Sequence, residues 1–161
     1  MTQRIEHTVR LSVDVSAAFA WYTDLENVRR MTPPELHLRI LKAETPLKMG
    51  SRVLFSVRPK FVPFEINWLL QVEDFQQDQR FSEKLVTGPF EHWVHSHEFV
   101  ALADGGCTII DRIEFDRPVF LIRAVASDEY IRTKLQETFD YREAVIRRAL
   151  EGTAFPSTPS I

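Results

Sequence analysis

The sequence predicts an α+β fold in which a meandering antiparallel sheet packs against one long C-terminal helix. Three observations carry this prediction. Between residues 35 and 115, apolar residues recur at period 2 in run after run, and short turn signals separate the runs. Only two short helical stretches interrupt the strands, and both precede residue 35. The last periodic segment, residues 127–151, changes to helical spacing.

The elements follow in order. Ile5, His7, Val9, Leu11 and Val13 share one side of a first strand, with Glu6, Thr8, Arg10 and Ser12 on the other. Ser16 is the expected cap of a short helix carrying Phe19, Trp21 and Tyr22. Thr23 or Asp24 caps a second, with Leu25, Val28 and Met31 at spacings of three, and Pro33 and Pro34 end it. From Glu35 the period returns to 2 with Leu36, Leu38 and Ile40. Val53, Phe55 and Val57 form the next apolar face, beyond a turn at residues 49–51. Phe64, Ile66, Trp68, Leu70 and Val72 alternate with polar neighbours, and Gln77, Asp78 and Gln79 make a hairpin loop. Phe81, Glu83 and Leu85 share a face, and Gly88–Pro89 breaks the strand. Trp93, His95, His97 and Phe99 share the next face, residues 103–106 give a strong hairpin signal, and Ile109, Asp111, Ile113 and Phe115 complete the last strand.

The final helix starts at a Ser127 cap, with Asp128 and Glu129 placed where the helix dipole favours negative charge. Ile131, Leu135, Phe139, Ile146 and Leu150 form its apolar stripe, Thr138, Arg142 and Ala149 fill the same stripe, and Gly152 is the stop. Its length is about 37 Å.

Composition narrows the function. The chain has 161 residues, one ordinary domain's worth, with 44% hydrophobic and 27% charged residues, as in globular proteins. A net charge of −3 argues against a nucleic-acid binder that depends on a broad basic face. The single Cys107 excludes an internal disulfide, and with no histidine adjacent in sequence it does not read as a nucleophile. Charges at Arg4, Glu6, Arg10 and Asp14 break any signal-peptide pattern. No window approaches the roughly 20 apolar residues of a membrane helix, so a cytoplasmic location is expected. There is no P-loop, no Gly-x-Gly-x-x-Gly, no Gly-x-Ser-x-Gly and no His-Glu-x-x-His.

The order of one strand, two short helices, about six strands and one long helix resembles the SRPBCC superfamily. That superfamily includes START lipid-binding domains, plant pathogenesis-related proteins and aromatic polyketide cyclases. Gly88-Pro89-Phe90 followed by Trp93, His95, His97 and Phe99 resembles a bacterial subgroup with a Gly-Pro-Phe…Trp-x-His-x-His-x-Phe pattern. Asp111, Glu114, Phe115 and the terminal Phe139, Tyr141, Arg142 match it as well. The resemblance implies a helix-grip fold: a curved seven-stranded sheet wrapped around the C-terminal helix, leaving an apolar cavity. It spans residues 1–151 as one ligand-binding domain, followed by a flexible tail at 152–161. Leu85 departs from the pattern, standing where Gln is expected two residues after Glu83. The segment 119–126 is also more apolar than the usual linker, and both changes make the cavity less polar.

The chemistry concentrates on one strand. Residues two apart point the same way, so if Phe99 faces the core, His97, His95 and Trp93 face it too. A three-residue loop at 103–105 then sets His97 opposite Asp111 and His95 opposite Ile113. Three readings stand: a structural polar pair, a recognition patch in an apolar cleft, and general acid/base catalysis by His95 or His97 with Glu83 or Asp111. His-x-His needs a third ligand to hold zinc, and Asp111 or Glu83 is the candidate, but no metal or cofactor is expected. The expected ligand-binding residues are Phe55, Trp68, Glu83, Trp93, His95, His97, Asp111, Phe115 and Phe139. Twelve Phe against three Tyr give an aromatic surface that mostly lacks hydroxyls, which suits an apolar guest. The expected function is binding of an apolar or amphipathic small molecule, with a cyclase or dehydratase using a cavity histidine as the alternative. The guest would enter between residues 119–126 and the turns near Pro33 and 61–64. No nucleic acid and no stable membrane insertion are expected, and any protein partner is a second copy of the chain, as a homodimer.

Overall fold

The computed structural model describes residues 2–60, 62–119 and 127–152. The apolar segment at 120–126, Phe61 at the expected entrance and the tail beyond Gly152 lie outside the described residues.

Strand β1 spans Gln3–Leu11, and two short helices follow, α1 (Val15–Thr23) and α2 (Leu25–Arg30). A 3-10 turn at Pro34–Leu36 leads to β2 (Arg39–Ala43) and β3 (Arg52–Val57). Next come β4 (Ile66–Gln76), β5 (Arg80–Thr87), β6 (Trp93–Ala101), β7 (Cys107–Phe115) and the long helix α3 (Asp128–Ile146). A π turn at Arg147–Glu151 ends at Gly152, whose φ of 69° is left-handed backbone that glycine tolerates. All seven strands form one antiparallel sheet in the order β1-β7-β6-β5-β4-β3-β2. From β2 to β7 each strand pairs with the next in sequence, and β1 pairs with β7, which leaves β1 and β2 at opposite edges. This is the helix-grip α+β architecture. Among the described residues, no helix is long and apolar enough to cross a membrane.

Three local expectations need correction. The cap of α1 is Asp14, whose carboxylate accepts from the Ser16 backbone N–H, so Ser16 is the capped residue and not the cap. Period 2 after Glu35 does not start a strand there: Pro34 sets a helical φ, the 3-10 turn absorbs Leu36, and pairing begins at Arg39. Ala149 is exposed at the end of the helix, because the π turn rotates the last residues off the 3.6-residue stripe. Asp24 caps α2 and Ser127 caps α3 as expected, each accepting a backbone N–H.

The core is layered. One apolar layer gathers Val9, Leu11, Phe19, Phe81, Phe99, Ile109 and Ile146 beneath α1. A second gathers Ile5, Leu70, Trp93, Ile113, Phe115, Ile131 and Phe139 toward the start of α3. On five elements that span both layers a polar residue lies between them: His7 on β1, Asp111 on β7, His95 and His97 on β6, Glu83 on β5 and Arg142 on α3.

Candidate functional site

The polar belt is set by strand register. The hairpin between β6 and β7 places His97 opposite Asp111 and His95 opposite Ile113, and β5 places Glu83 opposite His95. On the other flank His7 sits opposite Asp111. Trp93, His95, His97 and Phe99 are all buried, as their shared parity requires.

Asp111, 1% exposed, is the hub. Its Oδ1 accepts from Nδ1 of His97, and its Oδ2 accepts from the Tyr22 hydroxyl at 3.1 Å. A guanidinium nitrogen of Arg142 lies 3.8 Å from Oδ2. Burial works to raise the Asp111 carboxyl, but His97 and Arg142 outweigh it and hold the group well below the usual carboxylate range. Burial, reinforced by Asp111, pushes the Tyr22 hydroxyl well above its ordinary value. The His97 ring stacks on Phe81 at 4.2 Å and lies 4.0 Å from the His95 ring. Beside the hub, Nε2 of His7 meets Glu143 at 2.7 Å.

His95 is different. Its Nε2 is 3.9 Å from Asp111, beyond hydrogen-bond reach, and has no hydrogen-bond partner among the described residues. Burial pushes its imidazole well below 6.5, the charges of His97 and Arg142 add to this, and Asp111 opposes it. Glu83 has no hydrogen bond or ion pair among the described residues, and burial raises its carboxyl against the pull of His97 and Arg142.

The pH dependence follows. A histidine whose folded value lies below its unfolded one contributes stability above pH 6.5 that is lost as pH falls. Asp111 adds a loss below its ordinary 3.8. Glu83 acts in the opposite sense, contributing below its ordinary 4.5 and losing that as pH rises through its elevated value. Urea midpoints should therefore decline from about pH 6.5 downward, and His95→Gln should flatten the upper part of that decline. Identical slopes between about pH 7 and pH 5 in both proteins would refute the assignment.

A cavity of about 450 Å³ lies between β4, the 89–93 segment and the first half of α3. Trp68, Phe90, Trp93, Ile131, Leu135 and Thr138 wall it, and Pro33, Leu36, Pro59 and Val62 flank it. Glu35, Lys60, Lys134 and Glu137 also contribute to its lining. Of the expected ligand-binding residues, Trp68 and Trp93 line this cavity. Phe55 stacks on Trp68 at 5.8 Å, while Phe115 and Phe139 pack in the layer around Trp93. Glu83, His95, His97 and Asp111 do not line it: His95 sits two residues beyond Trp93 on β6, a step of about 7 Å.

Tyr22, Arg142, His7 and Glu143 join the belt without having been singled out for it. Two signals were present in the sequence. Arg142 is a charge on the apolar stripe of the helix, and His7 shares the core side of strand β1.

A family model described as Domain of unknown function (DUF8410) matches residues 10–150. The chain belongs to the DUF8410 family. No curated protein matches the DUF8410 chain in sequence. Solved structures do match its fold. A START superfamily protein from Mycobacterium smegmatis aligns with TM-score 0.69 at 12% identity, over 92% of this chain and 97% of its own. The Zhui aromatase/cyclase from Streptomyces sp. R1128 aligns with TM-score 0.68 at 14% identity, over 96% and 100%. The ginseng major latex-like protein 151 from Panax ginseng aligns with TM-score 0.61 at 14% identity, over 89% and 96%. The DUF8410 chain therefore has an SRPBCC-like fold.

Proposed function

We propose that this protein binds an apolar or amphipathic small molecule in the cavity between the sheet and α3. The carrying observation is the cavity itself: about 450 Å³, walled mainly by Trp, Phe, Ile and Leu side chains, within the range of small-molecule sites. Apolar wall area favours guests that leave water, and charged groups at Glu35, Lys60, Lys134 and Glu137 suit a polar end. Native mass spectrometry of the freshly purified protein is expected to show an adduct of about a few hundred daltons that is lost on denaturation. Absence of an adduct, together with no binding of an apolar fluorescent probe at about 10 µM, would sink the reading.

One observation favours a second reading, a cyclase or dehydratase: the unpartnered Nε2 of His95 is a candidate general acid/base beside the His97–Asp111 pair. His95→Gln separates the two. In a binder, affinity for the guest changes little, whereas acid/base turnover falls by roughly 100-fold or more.

A further inference from the structure

We propose that Glu83, His95 and His97 form a binding site for a divalent transition-metal ion of the zinc class, with Asp111 as the outer partner of His97. Each of the three groups brings one donor atom, and these atoms lie within 4.8 Å of one another. A tetrahedral zinc ion with bonds of about 2.1 Å needs donors roughly 3.4 Å apart, so side-chain rotations of about 1 Å close the set. The His95 and His97 rings are already in contact at 4.0 Å.

The hydrogen bonding around these residues is what an ion site requires. An ionised carboxylate only accepts, so Nδ1 of His97 carries the hydrogen of its bond to Asp111. In the neutral form of His97 the lone pair then sits on Nε2, the carboxylate–histidine arrangement that orients imidazole ligands on metals, and an ion binding there displaces any proton on that nitrogen. His95 is 8% exposed, and its buried Nε2 has no hydrogen-bond partner among the described residues. Glu83, across from His95 on β5, has neither hydrogen bond nor ion pair among the described residues. Three neighbouring donor groups with unused capacity, on two paired strands, are poorly explained as a structural pair, since buried polar groups otherwise find partners.

The charges also fit. The carboxylates of Glu83 and Asp111 stand against the single guanidinium of Arg142, which lies on the far oxygen of Asp111, 3.8 Å away. A dication bound by neutral imidazoles would take the place of the positive charge that a protonated His97 sets beside Glu83. Two imidazoles and one carboxylate select zinc-like ions over Mg²⁺ or Ca²⁺, which take oxygen ligands. The site is separate from the cavity's lining, so it is independent of guest binding there, while metal on His95 would compete with a proton-transfer role for that imidazole.

The test uses the whole chain, stripped with a chelator and dialysed against Zn²⁺ or Co²⁺. The expected result is about one ion per chain, a visible Co²⁺ absorption of four- or five-coordinate type, and a rise in thermal midpoint with Zn²⁺. Glu83→Gln and His95→Gln should each weaken binding by roughly 100-fold. Glu83→Gln keeps the size of a side chain that holds no partner, so it is expected to fold, and a metal-free melting midpoint at or above wild type confirms that. Fewer than about 0.1 ion per chain at roughly 100 µM Zn²⁺ overturns the proposal. So does wild-type affinity in both variants, which would put the ion elsewhere on the chain.

Discussion

Asp111→Ala is expected to lower the free energy of unfolding by about 3–5 kcal/mol, measured by urea titration at pH 7.5. The carboxylate is the shared acceptor for His97 and Tyr22 and the counter-charge of Arg142, whose side chain is 14% exposed. Removing it leaves a largely buried guanidinium without its carboxylate and two donors without an acceptor. Whole-domain stability is typically about 5–15 kcal/mol, so this single change takes a large share of it. Tyr22→Phe deletes one donor and keeps the ring packed on Phe99, and should cost only about 1 kcal/mol. If the two variants cost the same, Asp111 is not the hub that its contacts describe.

Leu135→Trp should weaken binding of an apolar probe by roughly 100-fold, which is about 2.7 kcal/mol of binding free energy. Leu135 lies on α3 with its side chain on the cavity wall, facing the space bounded by Trp68 and Trp93. An indole there occupies volume the guest needs. Overpacking a filled core costs about 1–3 kcal/mol, but a ring that enters existing space avoids most of that strain. The expected signature is therefore lost binding with a urea midpoint close to wild type. Wild-type affinity in a folded variant would move the binding site away from this cavity.

Much of the architecture was legible because period 2 is a direct physical consequence of the pleat. Trp93, His95, His97 and Phe99 declare a buried face by parity alone, and the short hairpin at 103–105 fixes the pairing of His97 with Asp111. The position of the polar groups relative to the cavity was less accessible. Parity says that His95 and Trp93 point inward, but it does not say where along the strand α3 lifts away from the sheet. That depends on the helix's approach, the 3-10 turn at Pro34–Leu36 and the positions of Pro59 and Val62, none of which has a periodic signature. The cavity opens at the level of Trp93, and Phe139 and Arg142 pack at the level of the histidines. Asp14 capping α1 in place of Ser16 is a lesser case: both are good caps, and the choice turns on where β1 ends.

The closure of β1 onto β7 has a consequence for biosynthesis. Gln3 pairs with Phe115 and Leu11 with Cys107, so the first strand made must wait for the last. At roughly 5–20 residues per second, a ribosome takes about 5–20 s to deliver the partner. Throughout that interval the nascent chain displays an unpaired, half-apolar edge, a target for chaperones and a hazard for self-association.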